Sequence, residues 1–209
     1  MSWLEAAEAW KEACLDLIYP PRCAACGQLG RAPFCRLCAE ALLPGPPFEI
    51  YGASSAWASW EHGGSIALAI WALKSGAHPE LGPLLGRGLR PGLARLAEVD
   101  AVVPVPPVRR RLVERGYNPP RELSRALPRV RPFWLRRAGE AHPQVGLTRA
   151  ERLENLEGAF FARSAVEGKT IALVDDVVTT GATATAAVAA LLDAGAREVH
   201  VLALSRAGH

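Results

Sequence analysis

The chain has 209 residues, half of them hydrophobic and 22 % charged, with a formal net charge of +3. This balance excludes a disordered or fibrous chain and fits one domain of ordinary size with a small appendage. A charge of +3 neither requires nor excludes a nucleic-acid partner, and only Lys11, Lys74 and Lys169 among the basic residues are lysines.

Residues 3–17 place Trp3, Leu4, Ala7, Trp10, Cys14 and Leu17 at helical spacing, which predicts a short amphipathic helix. The start lacks a basic n-region and carries Glu5, Glu8 and Glu12. The longest apolar run, residues 66–73, falls far short of the ~20 residues that span a bilayer. The expectation is a cytoplasmic protein without membrane insertion.

Cys23-x2-Cys26 and Cys35-x2-Cys38 follow, with Gly27 placed to allow a tight knuckle after the second cysteine. Two such pairs are the spacing of a four-thiolate Zn²⁺ site. Disulfides and a redox pair are the alternatives. A cytosolic setting disfavours the first, and a redox CxxC normally occurs once. Pro44-Gly45-Pro46-Pro47 breaks regular structure, so the domain boundary falls there: residues 1–44 hold the helix and zinc ribbon, and residues 48–209 form the main domain.

Residues 48–60 are strand-like, His62-Gly63-Gly64 is a turn, and Ser65 is placed to cap a helix through Ile66, Ile70 and Leu73. Further helix over residues 80–97 is punctuated by Pro83 and Pro91. Ala101-Val102-Val103 is a buried-strand pattern, stopped at Pro104-Val105-Pro106-Pro107. Asn118-Pro119 opens a helix to about Leu127. Residues 133–135 read as strand, 136–150 as a loop and 148–156 as helix. The apolar run 171–174 reads as a strand buried on both faces. A helix over residues 182–193 ends at Gly195, and residues 199–204 form another buried strand. The last unit is the crossover that builds parallel sheets, so the fold class is α/β.

The chemistry concentrates in residues 174–183, Val-Asp-Asp-Val-Val-Thr-Thr-Gly-Ala-Thr. Asp175 and Asp176 arrive at the C-terminal end of a strand, the edge where open α/β sheets bind ligands. There they are placed to accept hydrogen bonds from a vicinal diol or to reach Mg²⁺. Val177, Thr179, Thr180, Gly181, Ala182 and Thr183 then form an anion cradle without lysine, at the start of a helix, suited to a terminal phosphate. A plain helix cap, and the acid pair of a receiver domain, are the blander readings.

This segment resembles the phosphoribosyl-pyrophosphate (PRPP) motif of type I phosphoribosyltransferases. Ala172 departs from it where a larger aliphatic is usual. Val103-Pro104-Val105-Pro106, residues 108–118 (Val-Arg-Arg-Arg-Leu-Val-Glu-Arg-Gly-Tyr-Asn), His142-Pro143-Gln144, Arg152, Asn155 and Phe160 extend the similarity to the competence-associated ComF family over nearly the whole chain. The resemblance implies a type I phosphoribosyltransferase-like parallel sheet flanked by helices, with a small N-terminal four-cysteine zinc ribbon. It implies a Mg²⁺-PRPP ligand held by Asp175, Asp176 and the residues of the cradle. Arg109 and Arg115 would meet the pyrophosphate on a loop after the first sheet strand. Residues 136–150 would form a hood, with Arg136, Arg137 and Gln144 closing over the ligand. Pro119 stands where the family usually has glutamine.

Two functional readings remain open. One is an enzyme, a pentosyl glycosyltransferase passing phosphoribosyl to a nitrogen acceptor. The other is a non-catalytic module of the competence machinery that binds single-stranded DNA or a DNA-uptake protein. The arginine-rich stretch 109–137, with Tyr117, Phe133 and Trp134 as stacking rings, is the feature that would serve the second.

Overall fold

A computed structural model describes residues 20–30, 33–75, 78–137 and 159–208, together with the helical positions Trp3 and Trp10. The predicted helix over 3–17 with Cys14, the hood beyond Arg137 and the helix over 148–156 lie otherwise outside the described residues.

Four strands form one parallel sheet: β1 (Ser55–Glu61), β2 (Ala101–Pro104), β5 (Thr170–Val178) and β6 (Glu198–Arg206), in the order β1-β6-β5-β2. A small antiparallel pair, β3 (Leu135–Arg137) and β4 (Phe160–Ala162), lies apart from it. Helix α1 (Arg36–Glu40) follows Cys35, and α2 (Gly64–Ser75) follows β1. Then come α3 (Leu81–Gly86), α4 (Arg90–Ala94), α5 (Arg109–Arg115), α6 (Pro119–Ser124) and α7 (Ala182–Asp193).

The central strand β5 explains the layering. Successive side chains of a strand point to opposite faces. Ile171 and Leu173 join a core with Ala184, Ala187, Val188 and Leu191 of α7. Ala172 and Val174 join a second core with Ile66, Ile70 and Leu73 of α2, and with Leu85 and Leu123. Both faces are therefore covered by helices, which is why the strand has no polar alternation. Burying each large aliphatic side chain contributes roughly 1.5–3 kcal/mol.

The ends of α7 match their expected positions. Gly195 sits at φ +90, and the amides of Gly195 and Ala196 bond Leu192 O and Leu191 O, a Schellman closure. Three local expectations shift. Strand β5 runs on to Val178 because β6 keeps pairing with it, Val177 against Ser205 and Val178 against Arg206. Helix α2 begins at Gly64, so Ser65 is a buried first-turn residue instead of a flanking cap. Asn118 holds the N-cap position of α6 without a side-chain cap bond; its Nδ2 donates to Val105 O at 3.0 Å.

Candidate functional site

The sheet ends unevenly, and that unevenness makes a cleft. Strand β2 pairs with β5 only as far as Pro104 opposite Val174, and Val105 N closes the ladder by donating to Val174 O. Beyond that point, among the described residues, the β2 side of β5 has no strand neighbour. The Asp176 amide faces this gap, and the Asp175 carboxylate accepts its hydrogen at 2.8 Å. A cleft of about 650 Å³ opens here, walled by α2, the loop after β2, the start of α6 and the end of β5.

Asp175 and Asp176 both line the cleft and are 8 % and 7 % exposed. Because β5 is still extended there, the two side chains leave the strand on opposite sides. Asp176 lies on the α2 side and accepts a hydrogen bond from Lys74 Nζ at 2.8 Å. Asp175 lies on the β3 side. Burial, then the neighbouring charge of Asp176, pushes its carboxyl up to about 7, against the attraction of Lys74 and Arg137.

Lys74 is fixed from behind. The last carbonyls of α2 lack helical partners. Arg115 Nε donates to Lys74 O at 2.6 Å, and Tyr117 Oη donates to Leu73 O. The end of α5 thus anchors the end of α2. His62 also borders the cleft, with Nδ1 hydrogen-bonded to Ser205 Oγ at 2.9 Å. Burial, then Lys74, lowers its pKa against the opposing pull of Asp176.

The cradle residues follow directly. Val177 and Thr179 reach the cleft. Thr180 Oγ1 accepts from Ala182 N at 3.4 Å at the start of α7. Gly181 sits at φ +82, and a Cβ there would come within 2.7 Å of Ile50 Cδ1, so this turn requires glycine. Ala182 and Thr183 form the first turn of α7.

The arginines differ from expectation in one respect. Residues 109–115 are a helix, and the loop after β2 is residues 105–108. On a helix, neighbours in sequence face different ways. Arg111 and Arg115 line the cleft, whereas Arg109 does not. Arg137, on β3, lines it too; its guanidinium lies over the Phe160 ring at 4.5 Å, and its Nε is buried without a hydrogen-bond partner. Arg136 is exposed.

Sequence reasoning missed Lys74, His62 and Trp71 as cleft residues. A usable signal existed for one of them: a lysine at a helix end in a chain whose basic residues are nearly all arginine.

The cysteines converge as a second site. The Sγ atoms of Cys23, Cys26, Cys35 and Cys38 all lie within 4.8 Å of one another. Cys26 Sγ and Cys35 Sγ are 3.8 Å apart, too far for a disulfide. A tetrahedron with Zn–S bonds of ~2.3 Å has edges of about 3.8 Å. Burial opposes ionisation of Cys23, but backbone amides of Cys26, Cys35 and Ala25 hold its thiol at about 6. The Ser65 hydroxyl favours the Cys38 thiolate, yet burial and the three neighbouring thiols drive it up to about 12. Four thiols crowded this way fit a divalent metal such as zinc, which would relieve the repulsion between thiolates.

The family match agrees with the fold. Residues 119–209 match the phosphoribosyl transferase domain family. Competence protein F of Haemophilus influenzae is 34 % identical over 120 residues, covering 52 % of this chain and 51 % of that protein. DNA utilization protein YhgH of Escherichia coli is 35 % identical over 116 residues, covering 51 % and 49 %. The chain spans about half the length of the curated relatives it matches. A solved structure of the allosteric regulatory enzyme of purine biosynthesis aligns with 61 % of this chain and 25 % of its own, at 24 % identity and a TM-score of 0.39. The ComF resemblance and the phosphoribosyltransferase-like parallel sheet read from the sequence are borne out.

Proposed function

We propose that this ComF-like chain, with its phosphoribosyl transferase domain, binds Mg²⁺-PRPP in the cleft at the end of β5 and transfers phosphoribosyl to a nitrogen acceptor. The observation that carries the reading is the cleft itself. Two buried carboxylates, an Asp-paired lysine and three arginines converge where β5 runs into the cradle and the N-terminus of α7.

Each part has a role. The amides and hydroxyls of residues 179–183 hold the 5′-phosphate at the positive end of α7. Asp175 and Asp176 flank the strand end and accept the ribose hydroxyls from its two sides. Arg111, Arg115 and Arg137 meet the pyrophosphate, for which a guanidinium offers paired donors. Lys74 holds Asp176 in place through its 2.8 Å ion pair. Mg²⁺, when bound with PRPP, adds charge neutralisation at the pyrophosphate. In the transfer, the anomeric C–O bond to pyrophosphate breaks, a C–N bond to the acceptor forms, and the acceptor nitrogen gives up a proton. Positive charge developing at the anomeric carbon is stabilised by the carboxylates.

Cys23, Cys26, Cys35 and Cys38 would hold structural Zn²⁺, which supplies folding free energy to residues 20–44. The division into residues 1–44 and 48–209 is part of this proposal, as is cytoplasmic placement. Among the described residues no helix is long and apolar enough to cross a membrane.

Calorimetric titration of Mg²⁺-PRPP into the wild type and into Asp175→Asn/Asp176→Asn tests the binding. Micromolar to sub-millimolar binding by the wild type, lost in the variant, is the expected result. Equal binding by both would remove the carboxylates from the site.

A second reading draws on a separate observation. Arg121 lies over Phe133 at 5.3 Å and Arg131 over Trp134 at 5.9 Å. Arg109 and Arg136 are exposed as well, and cations with rings of this kind suit single-stranded DNA. The named relatives, a competence protein and a DNA utilization protein, support a role in DNA uptake and partners of that kind. DNA affinity falling with salt at a slope of about −0.7 per phosphate contacted is the expected signature.

A further inference from the structure

We propose that Arg206, at the end of β6, is a binding residue for the terminal phosphate of the ligand: its guanidinium supplies the cation that the cradle of residues 179–183 lacks. This deepens the ribose-phosphate reading and rests on it, because the phosphate would be the 5′-phosphate of PRPP.

The cradle is short of positive charge. Thr179, Thr180, Gly181, Ala182 and Thr183 bring hydroxyls and amides but no cation. The start of α7 adds about half an elementary charge, against about −1.5 to −2 on a phosphate monoester at pH 7. Lys74 is engaged by Asp176 at 2.8 Å. Arg111, Arg115 and Arg137 line the cleft, where the pyrophosphate is placed. A further cation at the cradle would balance the phosphate, and β6 delivers one.

Strand β6 keeps pairing with β5 to its last residue, so Arg206 stands opposite Val178, the residue just before the cradle. Val178 belongs to the core on the α7 side of the sheet, with Ala184 of α7 and Ile50. The guanidinium of Arg206 lies over the Phe48 ring at 5.3 Å, and Phe48 packs on that same core. Arg206 is therefore on the face of the sheet from which α7 starts. Its Nη1 donates to Val178 O at 3.2 Å. That oxygen sits on the carbon bonded to Thr179 N, so bond lengths alone keep Nη1 within ~6 Å of the first cradle amide. Two backbone bonds fix the strand end around it. Ala207 N donates to Val178 O at 3.0 Å, and His62 N donates to Arg206 O at 2.8 Å.

The guanidinium is held in place yet keeps most of its donors. Arg36, Arg111 and Arg125 each pair with a glutamate. Arg206 has no carboxylate partner among the described residues; its contacts are the Val178 carbonyl and the Phe48 ring. The bond to Val178 uses one of five N–H donors, and a ring against the flat face leaves the edge donors open to phosphate oxygens. Phe48 and Val178 also order the side chain before a ligand arrives, which lowers the ordering cost of binding.

The test uses the full chain and calorimetry. Ribose 5-phosphate, Mg²⁺-PRPP and Mg²⁺-pyrophosphate are titrated into the wild type, Arg206→Gln, Arg206→Lys and Phe48→Leu. Arg206→Gln should weaken ribose 5-phosphate and Mg²⁺-PRPP about tenfold or more, the effect of losing a charged hydrogen bond. Mg²⁺-pyrophosphate, bound at the other end of the site, should be unaffected. Arg206→Lys should recover part of the loss, since it restores the charge without the paired donors. Phe48→Leu removes the supporting ring but no donor, so its affinity should fall between those of the wild type and Arg206→Gln. Melting temperatures follow the bond to Val178 separately. Equal binding of ribose 5-phosphate by the wild type and Arg206→Gln would overturn the assignment and leave the PRPP site standing. A similar loss for all three ligands, unrelieved by lysine, would also overturn it, by making Arg206 a structural residue only. Failure of the wild type to bind either ribose phosphate would sink the PRPP reading and the assignment with it.

Discussion

The cysteine segment and the sheet domain reach a fixed structure by opposite means. Among the described residues 20–44, Cys23 alone is buried. In β5, eight of nine positions are buried, and helices cover both faces. The first region has almost no core of its own, and its four cysteine sulfurs lie close enough to share a metal ion. The second depends on apolar burial, and it spends that rigidity on holding two carboxylates out of water. The comparison explains why charge is tolerated in each place. The four converging thiols form a group that could hold a metal ion, whereas the buried Asp175 and Asp176 are faced by the cations Lys74 and Arg137.

The sharpest way to break the comparison is to remove the metal. Chelation, or Cys26→Ser with Cys35→Ser, should withdraw an apparent ~10–16 kcal/mol of metal-coupled folding from the small region. Limited proteolysis should then cut within residues 20–44 and spare residues 48–209. Simultaneous loss of both would mean that the sheet depends on the cysteine centre. A smaller effect is expected inside the sheet. Leu173→Ala should cost about 2–5 kcal/mol in denaturant unfolding and leave metal content unchanged.

Gly181→Ala comes next. It places a Cβ at φ +82 and against Ile50, so a loss of roughly 1–3 kcal/mol is expected, with weakened PRPP binding in calorimetry. The smallest effect is the pH dependence of Asp175. Its folded pKa is raised to about 7, above the ordinary carboxylate value of ~3.9. The folded state therefore holds a proton that the unfolded state releases, and stability falls as pH rises between these two values. Asp175→Asn should flatten that slope. Binding of Mg²⁺-PRPP favours the ionised carboxylate, so affinity should rise about tenfold from pH 6 to pH 8 and release a proton.

Much of this was legible because periodicity and turn chemistry coincide. The run 171–174 fitted a doubly covered strand, and α7 is bounded by residues 182–193 as its C-terminal glycine predicts. The acid pair and the cradle were readable as a contiguous motif. What the sequence concealed depends on tertiary closure. Lys74 lies 102 positions from Asp176, and only the packing of α2 on the sheet joins them. Arg109 read as equivalent to Arg115 until residues 109–115 formed a helix that turns it away from the cleft. Asn118 looked like a cap, but the nearby Val105 carbonyl takes its amide. Trp71 carried no signal, since an exposed tryptophan is invisible until the cleft beside it exists.

The central claim is that the end of β5 is a ribose-phosphate site. A crystal structure of the full chain soaked with Mg²⁺-PRPP tests it most directly. The account predicts ligand density with ribose hydroxyls on Asp175 and Asp176, the 5′-phosphate on residues 179–183, and Arg111, Arg115 and Arg137 at the pyrophosphate end. An empty cleft at saturating ligand, or PRPP bound elsewhere on the molecule, would contradict it.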